Sequence, residues 1–242
     1  DTPADPEPPV VATAPADDTA PLVVSLASVP GVKRCAIAPS GTEACWELAD
    51  PTMTDIPEDF LEGNTYLTGT LKVGAAVKTI GSNAFAYTKL TGLDLSGATS
   101  LATIGDSAFF GTDLDNTLVI PATVTAIGTS AFTYTKLAGL NLTEATALVS
   151  IGDGAFSGAG LIGTVVIPAS VTTIGDDAFY NTKLTGLDLS DATTLLSIGS
   201  YAFSGTGITG MIVTPSKVPR YAARDTFPTG VSIVSVPRLE HA

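Results

Sequence analysis

The chain has 242 residues, a length that allows one large domain or two small ones; 45% of them are hydrophobic, as in a globular protein, and only 14% are charged, well below the usual quarter. Its 24 acidic and 11 basic residues give a net charge of −13, which disfavours binding to a nucleic acid or to an anionic membrane surface. No apolar run reaches the roughly 18 residues that span a bilayer, so we predict no direct membrane insertion.

The N-terminal segment, residues 1–21, holds six prolines and five acidic residues and no basic residue. This composition predicts an extended acidic tail without a core of its own. Residue 1 is Asp rather than Met, and we expect that a targeting peptide has already been removed.

Residues 22–47 are predicted to form an N-terminal cap. The only two cysteines, Cys35 and Cys45, lie ten residues apart and lack the spacing of a zinc site. We predict a disulfide between them, which would indicate an oxidising compartment; the alternative is a pair of buried free thiols. Strands are expected at Leu22–Leu26 and Cys45–Leu48, with Trp46 covering the end of the core.

Residues 48–227 are predicted to form a solenoid of about eight coils. The pattern Ile-Gly-x-x-Ala-Phe occurs six times between Ile80 and Phe203, at steps of 24 and 23 residues in alternation. The sum of two steps, 47 residues, is the better period, and three units align without gaps: Thr70–Asn116, Thr117–Gly163 and Thr164–Gly210. A unit this short cannot bury its own apolar residues, so neighbouring units must stack into one continuous core.

Each coil is expected to contain one strand of a parallel sheet and one tight segment on the opposite, convex side. The pattern Leu-x-Leu, as in Leu93-Asp94-Leu95, turns its outer residues inward and its middle residue outward. The segment from the repeated Gly to the repeated Phe is predicted to form a short helical turn or a bend. Thr three residues after most of these Phe residues is expected to satisfy carbonyl groups of the bend. Residues 228–242 are predicted to form a C-terminal capping strand and tail.

This pattern resembles the BspA-like, or treponemal-type, leucine-rich repeat family over about residues 48–227. The family usually has Cys three residues after the Phe, where this chain has Thr or Ala, such as Thr88 and Ala159. The resemblance implies a curved right-handed solenoid and a secreted or surface protein that binds other proteins or host surfaces. It implies no catalytic residues.

The sequence contains little that points to catalysis, and we predict no enzyme activity, metal or cofactor. His241 is the only histidine, so a nucleophile would lack its usual base. Two Gly-x-Gly-x-x-Gly matches, at Gly158 and Gly205, precede a predicted strand rather than follow one, unlike a dinucleotide site. The carboxylate pair Asp176/Asp177 is expected on a solvated bend, where calcium would bind weakly at best. Ice binding, suggested by the many threonines, is disfavoured because no regular threonine column exists.

The residues at the outward middle positions of the strands are predicted to form a binding surface on the concave face. Valines at the outward middle positions recur every 47 residues, with Asp or Asn between them, and a semi-apolar stripe with regular acceptors suits a protein partner. The alternative is that strand propensity alone favours Val there. The predicted surface consists of Lys72, Asp94, Val119, Asn141, Val166, Asp188 and Val213.

The sequence therefore predicts a leucine-rich repeat solenoid of mainly parallel β coils, with short helical turns or bends on its convex side. Its predicted function is non-enzymatic protein–protein interaction through the repeat surface, at the cell surface or outside the cell. The alternative is a structural subunit of a larger complex in an organelle lumen, for example a photosynthetic membrane complex in the thylakoid lumen, anchored by the N-terminal tail.

Overall fold

The fold is a parallel β-solenoid of about eight turns, and the computed structural model describes residues 31–35, 45–48, 50–215 and 225–236 of it. The predicted tail, residues 1–21, and the predicted strand at Leu22–Leu26 lie outside the described residues. Each coil contributes one longer strand, one strand of two residues and one segment of turns, and these stack on their equivalents in the next coil.

The longer strands form one side of the solenoid, the long-strand face. They are β1 (Val32–Arg34), β2 (Cys45–Leu48), β4 (Thr68–Val73), β6 (Lys89–Asp94), β8 (Thr117–Val119), β10 (Gly139–Asn141), β12 (Ile162–Val166), β14 (Lys183–Asp188), β16 (Met211–Pro215) and β17 (Ser232–Val236). The two-residue strands are β3 (Asp55–Ile56), β5 (Thr79–Ile80), β7 (Thr103–Ile104), β9 (Ala126–Ile127), β11 (Ser150–Ile151), β13 (Thr173–Ile174) and β15 (Ser197–Ile198).

The two sets of strands differ in continuity. The two-residue strands form one unbroken seven-stranded parallel sheet, in which each repeated Ile pairs with the next. The longer strands form one sheet in the order β1-β2-β4-β6 and then three separate pairs, β8–β10, β12–β14 and β16–β17. The sheet of longer strands is therefore interrupted between β6 and β8, between β10 and β12 and between β14 and β16, once in every 47-residue unit.

The segment from the repeated Gly to the repeated Phe consists of bends, and the helical alternative is wrong: the described residues contain no helix. In one coil, the N–H groups of Ala84 and Ala86 donate to carbonyls three residues earlier. The N–H groups of Asn83, Phe85 and Tyr87 donate instead to carbonyls of the next coil. Asn83 and Tyr87 also have left-handed φ angles of 54° and 59°, which interrupt any helix.

A ladder of phenylalanine rings runs through the core, as the repeat pattern predicts. Six repeated Phe residues are fully buried and stack with ring centroids 5.1–5.3 Å apart, and Phe227 extends the ladder at 5.6 Å. Thr88 and Thr135 donate their hydroxyls to the carbonyls of Phe85 and Phe132 at 2.8 and 2.9 Å, as predicted. The buried hydroxyls thus give each carbonyl a second hydrogen bond, beside the one from the backbone N–H of the same threonine at 3.3 and 3.4 Å.

The N-terminal end of the core is closed by a disulfide-linked pair of strands. Cys35 and Cys45 form the predicted disulfide, with Cα atoms 5.3 Å apart, and β1 pairs antiparallel with β2 while β2 pairs parallel with β4. Trp46 is only 4% exposed, and its indole N–H donates to the carbonyl of Thr68 at 2.9 Å. At the other end, β17 pairs in parallel with β16.

Candidate functional site

The long-strand face presents most of the residues that the sequence predicts as a binding surface. Lys72 is exposed, and Val119 and Val166 are 47% and 36% exposed. Each of the three lies between two buried residues in the sequence, as the alternation along a strand predicts. Asp94, Asn141 and Asp188 are half-buried at the ends of β6, β10 and β14. For the last predicted residue, Val213, only the backbone in β16 belongs to the described part of the chain.

The three half-buried acceptors serve the fold of the strand ends. The Oδ1 atom of Asp94 accepts hydrogen bonds from the backbone N–H and the hydroxyl of Ser96, at 2.9 and 2.6 Å. Equivalent bonds join Asn141 to Thr143 and Asp188 to Ser190. Side chains of this kind end a strand by satisfying the turn that follows it. The regular recurrence of Asp or Asn on this face therefore has a structural reason.

Asp94 still carries negative charge to the surface. The hydrogen bond from the Ser96 hydroxyl holds the pKa of the Asp94 carboxyl below its ordinary value, so this group is ionised at neutral pH. Its second oxygen lies 4.0 Å from the ammonium group of Lys72 on the neighbouring strand. Both side chains are partly exposed to solvent, so the pair adds polar character to the face rather than much stability.

A groove of about 550 Å³ opens where the long-strand sheet breaks between β6 and β8. Its walls are mostly apolar and include Leu93, Val119, Ile120 and Pro121. Of the predicted binding residues, Asp94 and Val119 line this groove, whereas Lys72, Asn141, Val166 and Asp188 lie outside it. A concave, mainly apolar site with a few polar groups at its edge suits an inserted side chain.

Asn116 also lines this groove and was not among the predicted binding residues. Its side-chain N–H group donates to the carbonyls of Leu93 and Thr117, both at 3.2 Å, and so bridges the gap between β6 and β8. Its Oδ1 atom is buried and accepts no hydrogen bond from the described residues. The signal was present in the 47-residue alignment, because the equivalent positions hold Gly163 and Gly210.

The other candidates for chemistry stay apart from this groove or are used by the fold. Asp176 accepts a hydrogen bond from the N–H of Ser200 in the next coil at 2.6 Å, and its own N–H donates to Asp153 at 2.9 Å. Within the described ranges, no group of three or more His, Cys, Asp or Glu side chains is placed to hold a metal ion. His241 lies outside the described residues.

The described part of the chain includes no helix that is long and apolar enough to cross a membrane.

The chain is similar to several solved structures and to one sequence-family profile. No curated protein matches the chain. Among solved structures, the chain is similar to the pneumococcal vaccine antigen PcpA, at 16% identity and a TM-score of 0.52, over 86% of this chain and 69% of that one. It is also similar to a leucine-rich repeat protein from Bacteroides ovatus, at 20% identity and a TM-score of 0.49, over 86% of this chain and 71% of that one.

The similarity to PcpA supports the fold, but at 16% identity it does not extend to function. The sequence profile described as the BspA type leucine-rich repeat region matches six copies over residues 78–209, which is more than half of the chain. The chain belongs to the BspA-type leucine-rich repeat family.

Proposed function

We propose that this protein is a non-enzymatic binding module that docks a protein partner on its long-strand face, at the cell surface or outside the cell. The groove between β6 and β8 carries the proposal, because it combines mostly apolar walls with the exposed Val119 at its edge. An apolar side chain of a partner would fill the groove.

The exposed valines extend this proposed site along the face. Val119 lies at the groove, and Val166 occupies the equivalent position one unit further along. Apolar groups that interrupt an otherwise polar surface are typical of docking sites. The disulfide and the family both fit an oxidising compartment outside the cytosol.

The alternative of a fixed subunit in an organelle lumen depends on how residues 1–21 are placed, and these residues lie outside the described part of the chain. No comparison favours that alternative, and we do not propose it.

The test is partner capture from native source material with two matched double variants. Val119→Lys with Val166→Lys places two charges on the long-strand face. The control, Val149→Lys with Leu196→Lys, places two charges on exposed apolar residues (45% and 62%) that also lie one unit apart, beside the two-residue strands. We expect the first variant to weaken capture by roughly 30-fold, the effect of losing about 2 kcal/mol at the centre of an interface.

The control variant should bind the same proteins as the unmodified chain. Full capture by the Val119/Val166 variant, with its circular dichroism spectrum unchanged, would exclude this face as the binding site. Equal loss in both variants would show a general effect of added charge instead.

A further inference from the structure

A ladder of alternating charges crosses three coils on the edge where the long strands begin. Asp113 lies between two lysines from the coils on either side of it, 3.3 Å from the ammonium group of Lys89 and 2.9 Å from that of Lys136. The hydrogen bond from Lys136 also holds the pKa of the Asp113 carboxyl below its ordinary value. The carboxylate therefore serves as a bridge between two neighbouring units of the repeat.

The same ladder lacks its carboxylate one unit later. The position equivalent to Asp113, 47 residues on, is Gly160, while the lysine column continues with Lys183. Lys136 and Lys183 consequently face a notch of about 540 Å³ whose floor includes Gly158, Ala159 and Gly160. Among the described residues, no carboxylate lies within ion-pair distance of Lys183.

An aromatic side chain borders the same notch. Tyr134 is 65% exposed and lies across Gly158, where a Cβ atom would be only 2.7 Å from the tyrosine Cδ1. Tyr180, which is 42% exposed, belongs to the same coil as Lys183. Exposed aromatic rings beside a shallow groove are the surface on which proline-rich segments dock. The notch thus offers the ammonium group of Lys183, beside a Lys136 ammonium that is already paired with Asp113, with aromatic surface nearby.

We propose that the notch binds the acidic, proline-rich N-terminal segment of this same chain through Asp5 and Glu7. In the stretch Asp5-Pro6-Glu7-Pro8-Pro9, acids alternate with prolines. In an extended polyproline conformation, residues two apart are separated by about 6 Å, and the three-residue turn directs their side chains apart, so one carboxylate of the pair faces the notch at a time. One carboxylate then occupies the place that Asp113 holds in the preceding unit.

Tethering and charge favour this occupant over an acidic segment from another molecule. A free acidic partner would approach against a net charge of −13, whereas a tethered segment is held near the notch at roughly millimolar effective concentration. The 30 residues before Gly31 span about 90 Å when extended, and the whole stack of eight coils is about 38 Å long. The segment is therefore long enough to reach the notch.

The test is acylation of lysines in the full chain at low salt, read by mass spectrometry as the ratio of Lys183 to the exposed Lys78. Asp5→Asn with Glu7→Gln removes the two proposed carboxylates. Asp17→Asn with Asp18→Asn removes the same number of charges from the same segment and is the matched control. We expect the first variant to raise the Lys183 ratio about two- to fivefold, the effect of losing exposed charge pairs, and the control to leave it unchanged.

Three outcomes would overturn the proposal. The first is a Lys183 ratio that does not respond to Asp5→Asn with Glu7→Gln. The second is an equal response to both double variants, which would indicate a general effect of charge. The third is protection of Lys183 that disappears on dilution, which would assign the carboxylate to a second copy of the chain. None of these outcomes depends on whether a partner binds the long-strand face. A negative result here would therefore leave the proposed function untouched, and the reverse also holds.

Discussion

At the scale of single residues, the repeated glycine is required by the neighbouring coil rather than by its own backbone conformation. A Cβ atom on Gly152 would lie 2.6 Å from the carbonyl carbon of Gly128, the equivalent glycine one coil earlier. The same holds for Gly105, where the distance to the carbonyl carbon of Gly81 would be 2.8 Å. The left-handed positions nearby tolerate residues other than glycine, such as Tyr87. Close stacking of backbones therefore explains this invariant feature of the repeat.

We expect Gly152→Ala to lower the free energy of unfolding by about 1–3 kcal/mol, because the added methyl group meets backbone that cannot move without shifting a whole coil. Urea denaturation followed by circular dichroism measures the effect. Gly97→Ala is the control, since the Cβ atom there would meet nothing closer than the carbonyl oxygen of Val73 at 3.3 Å. Equal destabilisation by both substitutions would contradict the explanation.

At the scale of strands, a single residue difference between the repeat units explains why β8 and β10 have only three residues each. Gly69 and Gly163 have left-handed φ angles of 80° and 78° and lie at bulges that let β4 and β12 begin pairing two residues early. The equivalent residue between them is Asn116, whose φ is not left-handed. Pairing of β8 with β10 accordingly starts only at Thr117.

We expect Asn116→Gly to lengthen this ladder, because glycine adopts the left-handed conformation at no steric cost. By analogy with β4 and β6, residues 115 and 116 would then pair with residues 136 and 137. Hydrogen–deuterium exchange should show slower amide exchange in these two segments. Asn116→Ala is the control, since it removes the same amide group without allowing the conformation. Slowed exchange in the alanine variant would count against the role of glycine.

At the scale of the whole molecule, stability depends on contacts between neighbouring coils, as in other solenoids. Phe132 stacks on Phe109 and on Phe156, both at 5.3 Å, and is fully buried. Phe60, at the N-terminal end of the ladder, is only half-buried and meets Phe85 edge-on at 6.1 Å. The central coils are therefore covered on both sides, while the ladder weakens at this end.

Phe132→Ala should lower the free energy of unfolding by about 3–5 kcal/mol, the cost of a large cavity in a packed core. Phe60→Ala should cost about 1–2 kcal/mol, since that ring buries less surface and contacts one ring of the ladder. Equilibrium unfolding in urea compares the two variants directly. A loss below about 1 kcal/mol for Phe132→Ala would mean that the phenylalanine ladder does not support the array.

The sequence by itself determined the solenoid, its period and its core. Residues that recur every 23 or 24 positions must meet their equivalents when coils stack, so Phe132, Ile151 and their counterparts could be assigned to the core from spacing alone. The disulfide followed from the count of cysteines, and the outward positions of Val119 and Val166 followed from the alternation along a strand.

Only the tertiary structure decided the features that depend on two coils at once. The bends replace the expected helical turns because alternate N–H groups bond to the next coil, which a single repeat does not reveal. The groove at Asn116 exists because a strand pairs with one neighbour and not with the other. The notch at Gly160 is flanked by Lys136 and Lys183 only because stacking brings their coils together. The spacing along the chain determines which residues stack on one another. The hydrogen bonds between coils determine where the long-strand sheet is interrupted, and therefore where the groove lies.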